Sequence, residues 1–593
     1  MKVAIKIEQR WYFFGRALFV LCLLFLPIHS CAFFQEVRPE VDEGIHINQI
    51  GYQPQQVKKV VVVGTLSSEA NFQLLDSNNQ IVFSGTLVDY GHDHDSDETV
   101  ARGDFSAYNT PGLYRIKVAG RGMSYPFTID QDVYLPVLKL AARWLYLQRS
   151  GTAKDDPITG IKHSADHTTP AILFNGNGTH PDQTFDVSGG WWDAGDYGRY
   201  VPSATTTLML LFYAYHFNPD MFQDGQFNIP ESGNGVPDLL NEARWELKWL
   251  LKMQRNDGAV FHKVTTSGYA NTPPAEDALP LYLFDISTQA TAQYAGVMAE
   301  ASVVYRSIDG NFADQLLTSS KRAWEWLITH PDKYPVDGFQ SSKDTGGSYS
   351  VDDDDETGHR LWATGSLFHA TGDAQYRLAF SQLWSKRDTT PLIYGLSWDE
   401  GYAFGMFAYL DSKNGDEGIR TEIQQVVDTQ SRNILRVIHS TGYTVGLTGN
   451  RGIQGYAWGS NEHALEFGIY LLRANEWMPD QQLVDGAAFQ LNWVLGVNPL
   501  NKSFITGAGS NPMRTLHHQI SLYLTSPTPG AIGEGPNAME TGGDPILQAM
   551  FDADVPFAKR YADSPHSWAT NEPVIYGNAA FVAVASWFTQ KHF

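Results

Sequence analysis

Residues 237–254 read PDLLNEARWELKWLLKMQ. Leu240, Ala243, Leu247, Leu250 and Leu251 recur every three to four positions, which aligns them on one stripe of a helix with a charged opposite face. The same period returns in NEHALEFGIYLLRA at 461–474, where Ala464, Phe467, Gly468, Leu471 and Leu472 share a face, and LPVLKLAARWLYLQRSG opens it at 135–151. Such segments continue to the C-terminus, separated by loops rich in Gly, Pro, Asp and Asn, with few strand-like runs between them. The pattern predicts one large all-α domain over 131–593, with loops long enough to carry a site.

Upstream the period falls to two. IHINQIGY, KKVVVVG, NFQLLD, QIVFSG, GLYRIKV and SYPFTI follow one another with turn residues between them, which predicts a small antiparallel β-sandwich over 44–130. No cluster of catalytic residue types stands there, so this part reads as structural or docking.

Residues 1–32 place Lys2, Lys6, Arg10 and Arg16 before the apolar run ALFVLCLLFLPIHSCAFF. A run this short behind a basic start reads as a secretory signal, not a membrane span. His29 stands where a lipoprotein box has a small residue, which argues against lipid attachment at Cys31. The expected location is therefore secreted or periplasmic. Both cysteines, Cys22 and Cys31, lie in or at the end of this segment, so the mature chain has no internal disulfide. Removing the segment takes away four basic residues and one acidic one and shifts the net charge from −23 to −26. Such a surface repels nucleic acid and anionic membranes and suits a neutral or cationic ligand. Oligomeric state is not legible.

Three places concentrate residues able to do chemistry. SGGWWDAGDYGRYV at 188–201 holds Asp193 and Asp196 three positions apart. The flanking Gly189, Gly190 and Gly195 permit a sharp turn that aims both carboxylates into one space. Two solvated aspartates on a surface turn are the plainer reading, but Trp191, Trp192, Tyr197 and Tyr200 surround them, and solvated turns rarely carry four rings. In SWATNEPVIYGNAAFV at 567–582, Glu572 reads either as a helix-start acid or as a general acid in an enclosed cleft. GSNPMRTLHHQ at 509–519 holds adjacent His517 and His518, which diverge too far to share one metal and suit hydrogen bonds to hydroxyls.

SGGWWDAGDYGRYV resembles the signature of glycoside hydrolase family 9, the inverting cellulase family, and NEPVIYGNAAFV resembles that family's C-terminal motif. NGVPDLLNEARWELKWLLKMQ, TAQYAGVMAEASVVYR, YAWGSNEHALEFGIYLL, LGVNPLNKSFITGAG and GEGPN fall in the family's order, and the match covers nearly all of 131–593. IHINQIGYQP resembles the start of the immunoglobulin-like domain that precedes the catalytic domain in one branch. The resemblance implies an (α/α)6-barrel catalytic domain after an immunoglobulin-like sandwich. It also implies Asp196 as catalytic base, Asp193 as the residue that helps hold the attacking water, and Glu572 as general acid, with Trp192, Tyr197, His517 and His518 on the substrate. Inversion fits that division, since it places water between two carboxyls about 6.5–9.5 Å apart on opposite faces of the sugar.

The expected substrate is a β-1,4-linked glucan or oligosaccharide, attacked within the chain. An exo-acting β-glucosidase or exo-β-D-glucosaminidase is the alternative, and a non-catalytic sugar-binding protein on the same scaffold is a third. Two departures from the family keep the exo reading open. LHHQ ends in Gln519 where the family has Arg, and GEGPN carries Glu534, an added acid expected near substrate.

No cofactor is required. Relatives often hold zinc through cysteines in the stretch corresponding to RSGTAKDDPITGIKHSADH, which has none here. Zinc is therefore not expected, and His163, Asp166 and His167 are the remaining candidate ligands. Calcium is allowed by the resemblance at no position that the sequence identifies. The acidic run VDDDDETGHRLW, from residue 351, reads as acids at a helix start.

Overall fold

The computed structural model describes residues 41–65, 70–175, 178–266, 268–269, 272–336, 356–387, 395–452, 454–524 and 526–589. The signal expected at 1–32 and the acidic run at 351–355 lie outside the described residues.

The strands come first: β1 (Ile45–His46), β2 (Gly51–Tyr52), β3 (Lys59–Val63), β4 (Asn71–Asp76), β5 (Ile81–Asp93), β6 (Glu98–Asp104), β7 (Gly112–Val118) and β8 (Phe127–Ile129). They are hydrogen-bonded in the order β1-β3-β6-β5-β4-β7-β8-β2. The long β5 changes partner midway, pairing with β4 up to Thr86 and with β6 from Leu87. Ile45, Val60, Val62, Phe72, Leu74, Ile116 and Phe127 form a buried core of their own. Alternation made most of these strands legible. β6, ETVARGD, was not among the expected strands because it has too few large apolar residues for its period to show.

Val61 and Val100 turn away from that core and join the larger one of the helical part. The segment after β1 is tied there by polar contacts. His46 Nδ1 donates to the Asn498 carbonyl at 2.7 Å, and Asn48 Nδ2 donates to Asn492 Oδ1 at 2.8 Å. Gln49 donates to the Asn501 carbonyl at 2.8 Å and accepts from the amides of Ser510 and Asn511 at 3.0 and 2.7 Å.

The helices are α1 (Leu135–Leu147), α2 (Val201–Phe217), α3 (Asp238–Met253), α4 (Thr288–Tyr305), α5 (Gly310–Thr329), α6 (Thr357–Thr371), α7 (Ala374–Trp384), α8 (Tyr402–Asp411), α9 (Glu417–Ser440), α10 (Ser460–Trp477), α11 (Gln481–Val494), α12 (Pro545–Asp552), α13 (Trp568–Asn571) and α14 (Ile575–Trp587). Two kinds alternate along the chain. α2, α4, α6, α8, α10 and α14 are buried on nearly every side, whereas α3, α5, α7 and α9 bury one stripe and wet the other, and α11 is exposed only in its first turn and buried over 486–494. A helix apolar all round belongs inside and an amphipathic one outside, so the sequence itself sorts them into two shells. The inner helices pack as neighbours in the pairs α14–α2, α2–α4, α4–α6, α6–α8 and α10–α14. α6 and α8 approach closely: a β-carbon on Gly365 would lie 2.6 Å from the Gly405 carbonyl oxygen.

The expectation of an all-α domain over 131–593 needs correction. β9 (Lys154–Asp155) and β10 (Lys162–His163) form a small ladder, and β11 (Ala171–Asn175), β12 (Gly178–Phe185), β13 (Arg199–Tyr200), β14 (Lys263–Thr266) and β15 (Leu281–Phe284) form a sheet ordered β12-β11-β15-β14-β13. Most of these runs are too short to show a period, the eight-residue β12 is almost wholly polar, and β11–β15 and β13–β14 pair across separate loops. No described helix is long and apolar enough to cross a membrane.

Candidate active site

The WWDAGD turn sits at the end of α1 and is stitched to it. The Trp192 amide donates to the Gln148 carbonyl and the Ser150 amide to the Gly190 carbonyl, both at 2.8 Å. Gly190 has φ +79°, and a β-carbon there would lie 2.7 Å from the Trp249 ring, so only glycine permits this path. Behind the turn, Glu242 of α3 accepts from the Trp191 indole at 2.8 Å and from Arg149 at 2.9 and 3.0 Å. Arg149 and Glu242 side chains are each 2% exposed. Removing one partner of such a pair strands the other charge. Arg149→Ala is therefore expected to lower stability by about 3–5 kcal/mol, read as the shift in a reversible denaturant or thermal transition.

Two distant segments meet the turn. The Gln519 amide donates to the Gly195 carbonyl at 2.8 Å, and the Ile575 amide to the Asp193 carbonyl at 2.9 Å. The Gly195 amide itself donates to Glu572 Oε1 at 2.9 Å. The turn that carries Asp193 and Asp196 thus holds the carboxylate of Glu572 directly, although 376 positions separate Asp196 from it in the chain. A β-carbon on Gly195 would lie 2.2 Å from the His517 carbonyl oxygen and 2.9 Å from Glu572 Oε1. Gly195→Ala must push the acid away from the turn. A shift of about 1 Å can cost about 10²-fold, and that loss in kcat/KM with a native circular-dichroism spectrum is the expected result.

The three carboxyls differ in surroundings. Asp193 is 2% exposed, while Asp196 and Glu572 are half-buried. Burial pushes Glu572 well above the ordinary carboxyl range, and the charges of Asp196 and Asp193 add to the rise against the Gly195 hydrogen bond. Burial also raises Asp196, opposed by hydrogen bonds from the Gly198 amide and the Tyr200 hydroxyl (3.3 Å) and by the Lys263 ammonium. A carboxyl raised by burial and neighbouring charge beside one that donors and a cation pull back down is the kind of division that acid and base roles demand. Lys263 was not foreseen, since a lone lysine at the start of β14 has no motif to mark it.

The rings expected on the substrate are placed differently. Trp192 is fully enclosed, with Lys154 Nζ 4.6 Å from one of its ring centroids and Tyr197 and His167 packed 4.9 and 6.1 Å away. Tyr197 is 4% exposed and donates its hydroxyl to the Thr272 carbonyl at 2.8 Å. Both rings fill the wall behind the turn and present no face to a sugar. His518 is likewise inside: its Nε2 donates to Gln148 Oε1 at 2.9 Å and its Nδ1 accepts from Ser521 at 3.1 Å. Burial, with help from His517 and Lys154, lowers it to about 3, so it stays neutral. Gln148 passes the contact on by donating to the Ala194 carbonyl at 2.8 Å, so His518 supports the turn. His517 remains at the site, half-buried, with Nδ1 donating to the Pro565 carbonyl at 2.8 Å and its ring 5.9 Å from Trp568. Glu534 is 1% exposed and closed off from any ligand.

His163, Asp166 and His167 belong to a different arrangement. His167 binds Asp166 through Nδ1 at 2.9 Å and Asp277 through Nε2 at 3.1 Å. Burial opposes its charge, but the hydrogen bonds to Asp166 and Asp277 and the Asp166 charge together raise its pKa, and the ring ties two loops together. Among the described residues no group of three or more His, Cys, Asp or Glu side chains is set to hold a metal ion.

Asp193, Asp196 and Glu572 brought together on a two-shell helical frame form an arrangement that glycoside hydrolysis can use. The model of glycosyl hydrolase family 9 matches residues 134–585, and that of the cellulase N-terminal ig-like domain matches 40–123. The chain belongs to glycosyl hydrolase family 9. It is 30% identical to endoglucanase D of Acetivibrio thermocellus over 93% of this chain and 84% of that one. It is also 30% identical to a cellodextrinase of Butyrivibrio fibrisolvens over 91% and 98%. The crystal structure of a metagenome-derived family 9 endoglucanase superposes with a TM-score of 0.83 at 35% identity, covering 92% of this chain and 98% of that one.

Proposed function

We propose that this enzyme hydrolyses internal β-1,4-glucosidic bonds of cellulose-type glucans with inversion of configuration. Glu572 protonates the leaving oxygen, Asp196 takes the proton of the attacking water, and Asp193 holds that water. The observation that carries the reading is the hydrogen bond from Gly195 to Glu572, which ties the acid to the turn bearing the base. Inversion then needs only a sugar bound across the two, with water on the far face. The reaction uses no cofactor. The alternation of buried and amphipathic helices supports an (α/α)6 barrel with the site at one end, and the chain divides near residue 130 into sandwich and catalytic domain. With its N-terminal signal, the enzyme works outside the cytoplasm.

Proton NMR of the first product tests the stereochemistry: the α-anomer is expected from a β-linked substrate, and an initial β-anomer contradicts inversion. Viscosity of carboxymethylcellulose tests the mode of attack, since internal cuts shorten chains early. The likeness to a cellodextrinase, covering nearly all of both chains, favours a second reading in which short oligosaccharides are trimmed from an end. Release of single units from cellooligosaccharides or chitosan oligosaccharides, with no fall in viscosity, would establish that reading instead.

A further inference from the structure

Behind Glu572 stand two carboxyls that this mechanism leaves unused. Glu534 lies in GEGPN, whose backbone runs beside the acid: the Glu534 amide donates to the Glu572 carbonyl at 3.0 Å, and Gly533 bridges to Pro573. Glu462 lies in the first turn of α10. Its neighbour Asn461 fastens the two segments, donating its amide to the Glu534 carbonyl at 3.0 Å and its side-chain nitrogen to the Gly533 carbonyl at 2.8 Å.

Both carboxyls are 1% exposed. A β-carbon on Gly459 would lie 2.9 Å from Glu462 Oε2 and 3.4 Å from Glu534 Oε2, so the two groups border one small space. Within the described residues, neither Glu462 oxygen nor Glu534 Oε2 has a hydrogen-bond partner. The Trp458 indole reaches Glu534. The ionisable groups around the row are Glu572, Asp193 and Asp196 on one side, and His463, Glu466 and Asp399 on the other. His463 is the one cation among them, and its Nδ1 lies 3.3 Å from Glu466 Oε2. Buried carboxylates without donors are costly as anions and cheap as neutral acids.

We propose that Glu462, Glu534 and Glu572 share protons as one group, in which Glu534 is a positioning residue that keeps the proton on Glu572 until a leaving oxygen takes it. The proposal rests on Glu572 being the general acid. Burial pushes Glu462 up to about 8, and burial together with the charges of Glu462 and Glu572 pushes Glu534 well above the usual range.

The sign of the linkage follows. Acids raised in the folded state bind more protons there than in the unfolded chain, so stability falls as pH rises from about 4.3 through the folded values. Glutamine at either position cannot ionise and removes part of that fall. Unfolding temperatures of the wild type, Glu462→Gln and Glu534→Gln, followed from about pH 4 to about pH 8, are expected to converge at the acid end and separate towards neutrality, with the variants higher. The alkaline limb of kcat/KM for Glu534→Gln is expected about one unit lower in pH than in the wild type. Parallel unfolding curves in both variants, or an alkaline limb that Glu534→Gln does not move, would overturn the proposal. Should Glu572→Gln retain full activity, the general-acid reading falls by itself, and the unfolding curves still report on the carboxyl row.

Discussion

Glu572→Gln is expected to lower kcat on cellooligosaccharides about 10²–10⁴-fold while leaving the fold intact. Glutamine keeps the shape and still accepts from the Gly195 amide, so the turn retains its support. What disappears is the proton given to the leaving oxygen. That loss depends on how much the leaving group needs it. An aryl cellobioside with a low-pKa phenol departs without protonation, so the variant should recover most of its rate on that substrate. Equal losses on both substrates would mean that Glu572 is not the acid. The wild-type pH profile carries the same information: kcat/KM should fall on the alkaline side as Glu572 ionises, at a pH well above the ordinary glutamic acid range.

Asp196→Asn should cost a similar factor, about 10²–10⁴-fold, but without recovery on the aryl substrate. The base acts on water, and an easier leaving group does nothing for a nucleophile that has not been deprotonated. Its acid limb should also go. In the wild type kcat/KM falls at low pH as Asp196 takes a proton, and burial sets that limb above the range of a free aspartate. Full retention of activity in Asp196→Asn on every β-1,4-linked substrate would remove the base from the mechanism and leave a sugar-binding role as the alternative.

Much of this was legible in the chain, for reasons that differ by element. The stripe of α3 announced a helix because it faces water on one side, and Leu240, Ala243, Leu247 and Leu250 are indeed buried. α10 was read by the same stripe, yet it is buried all round, so its period carried less of its meaning than its lack of a wet face. The sheet β12-β11-β15-β14-β13 was harder to see because, beyond the local β11–β12 hairpin, it is assembled by the pairing of β11 with β15 and of β13 with β14 from separate loops. At the site, the resemblance pointed to Asp193, Asp196 and Glu572, and the structure brings the Asp193–Asp196 turn against Glu572. Trp192, Tyr197 and His518, expected on the substrate, are buried; an aromatic ring beside such a turn serves equally as a wall or as a platform, and sequence does not separate the two. Glu462 had no motif at all; it came into view through what it lacks, a donor for either oxygen.

The contacts made by His46, Asn48 and Gln49 bear on what counts as a part of this molecule. Gln49 satisfies three backbone groups of the 501–511 segment, which leads directly into His517 and the turn contact of Gln519. A catalytic domain cut free of its sandwich would keep Asp193, Asp196 and Glu572 and yet expose those carbonyl and amide groups to solvent at the root of the loop that carries His517. The sandwich is thus less an appendage than the outermost support of the active site, and recombining such domains between relatives means exchanging a foundation.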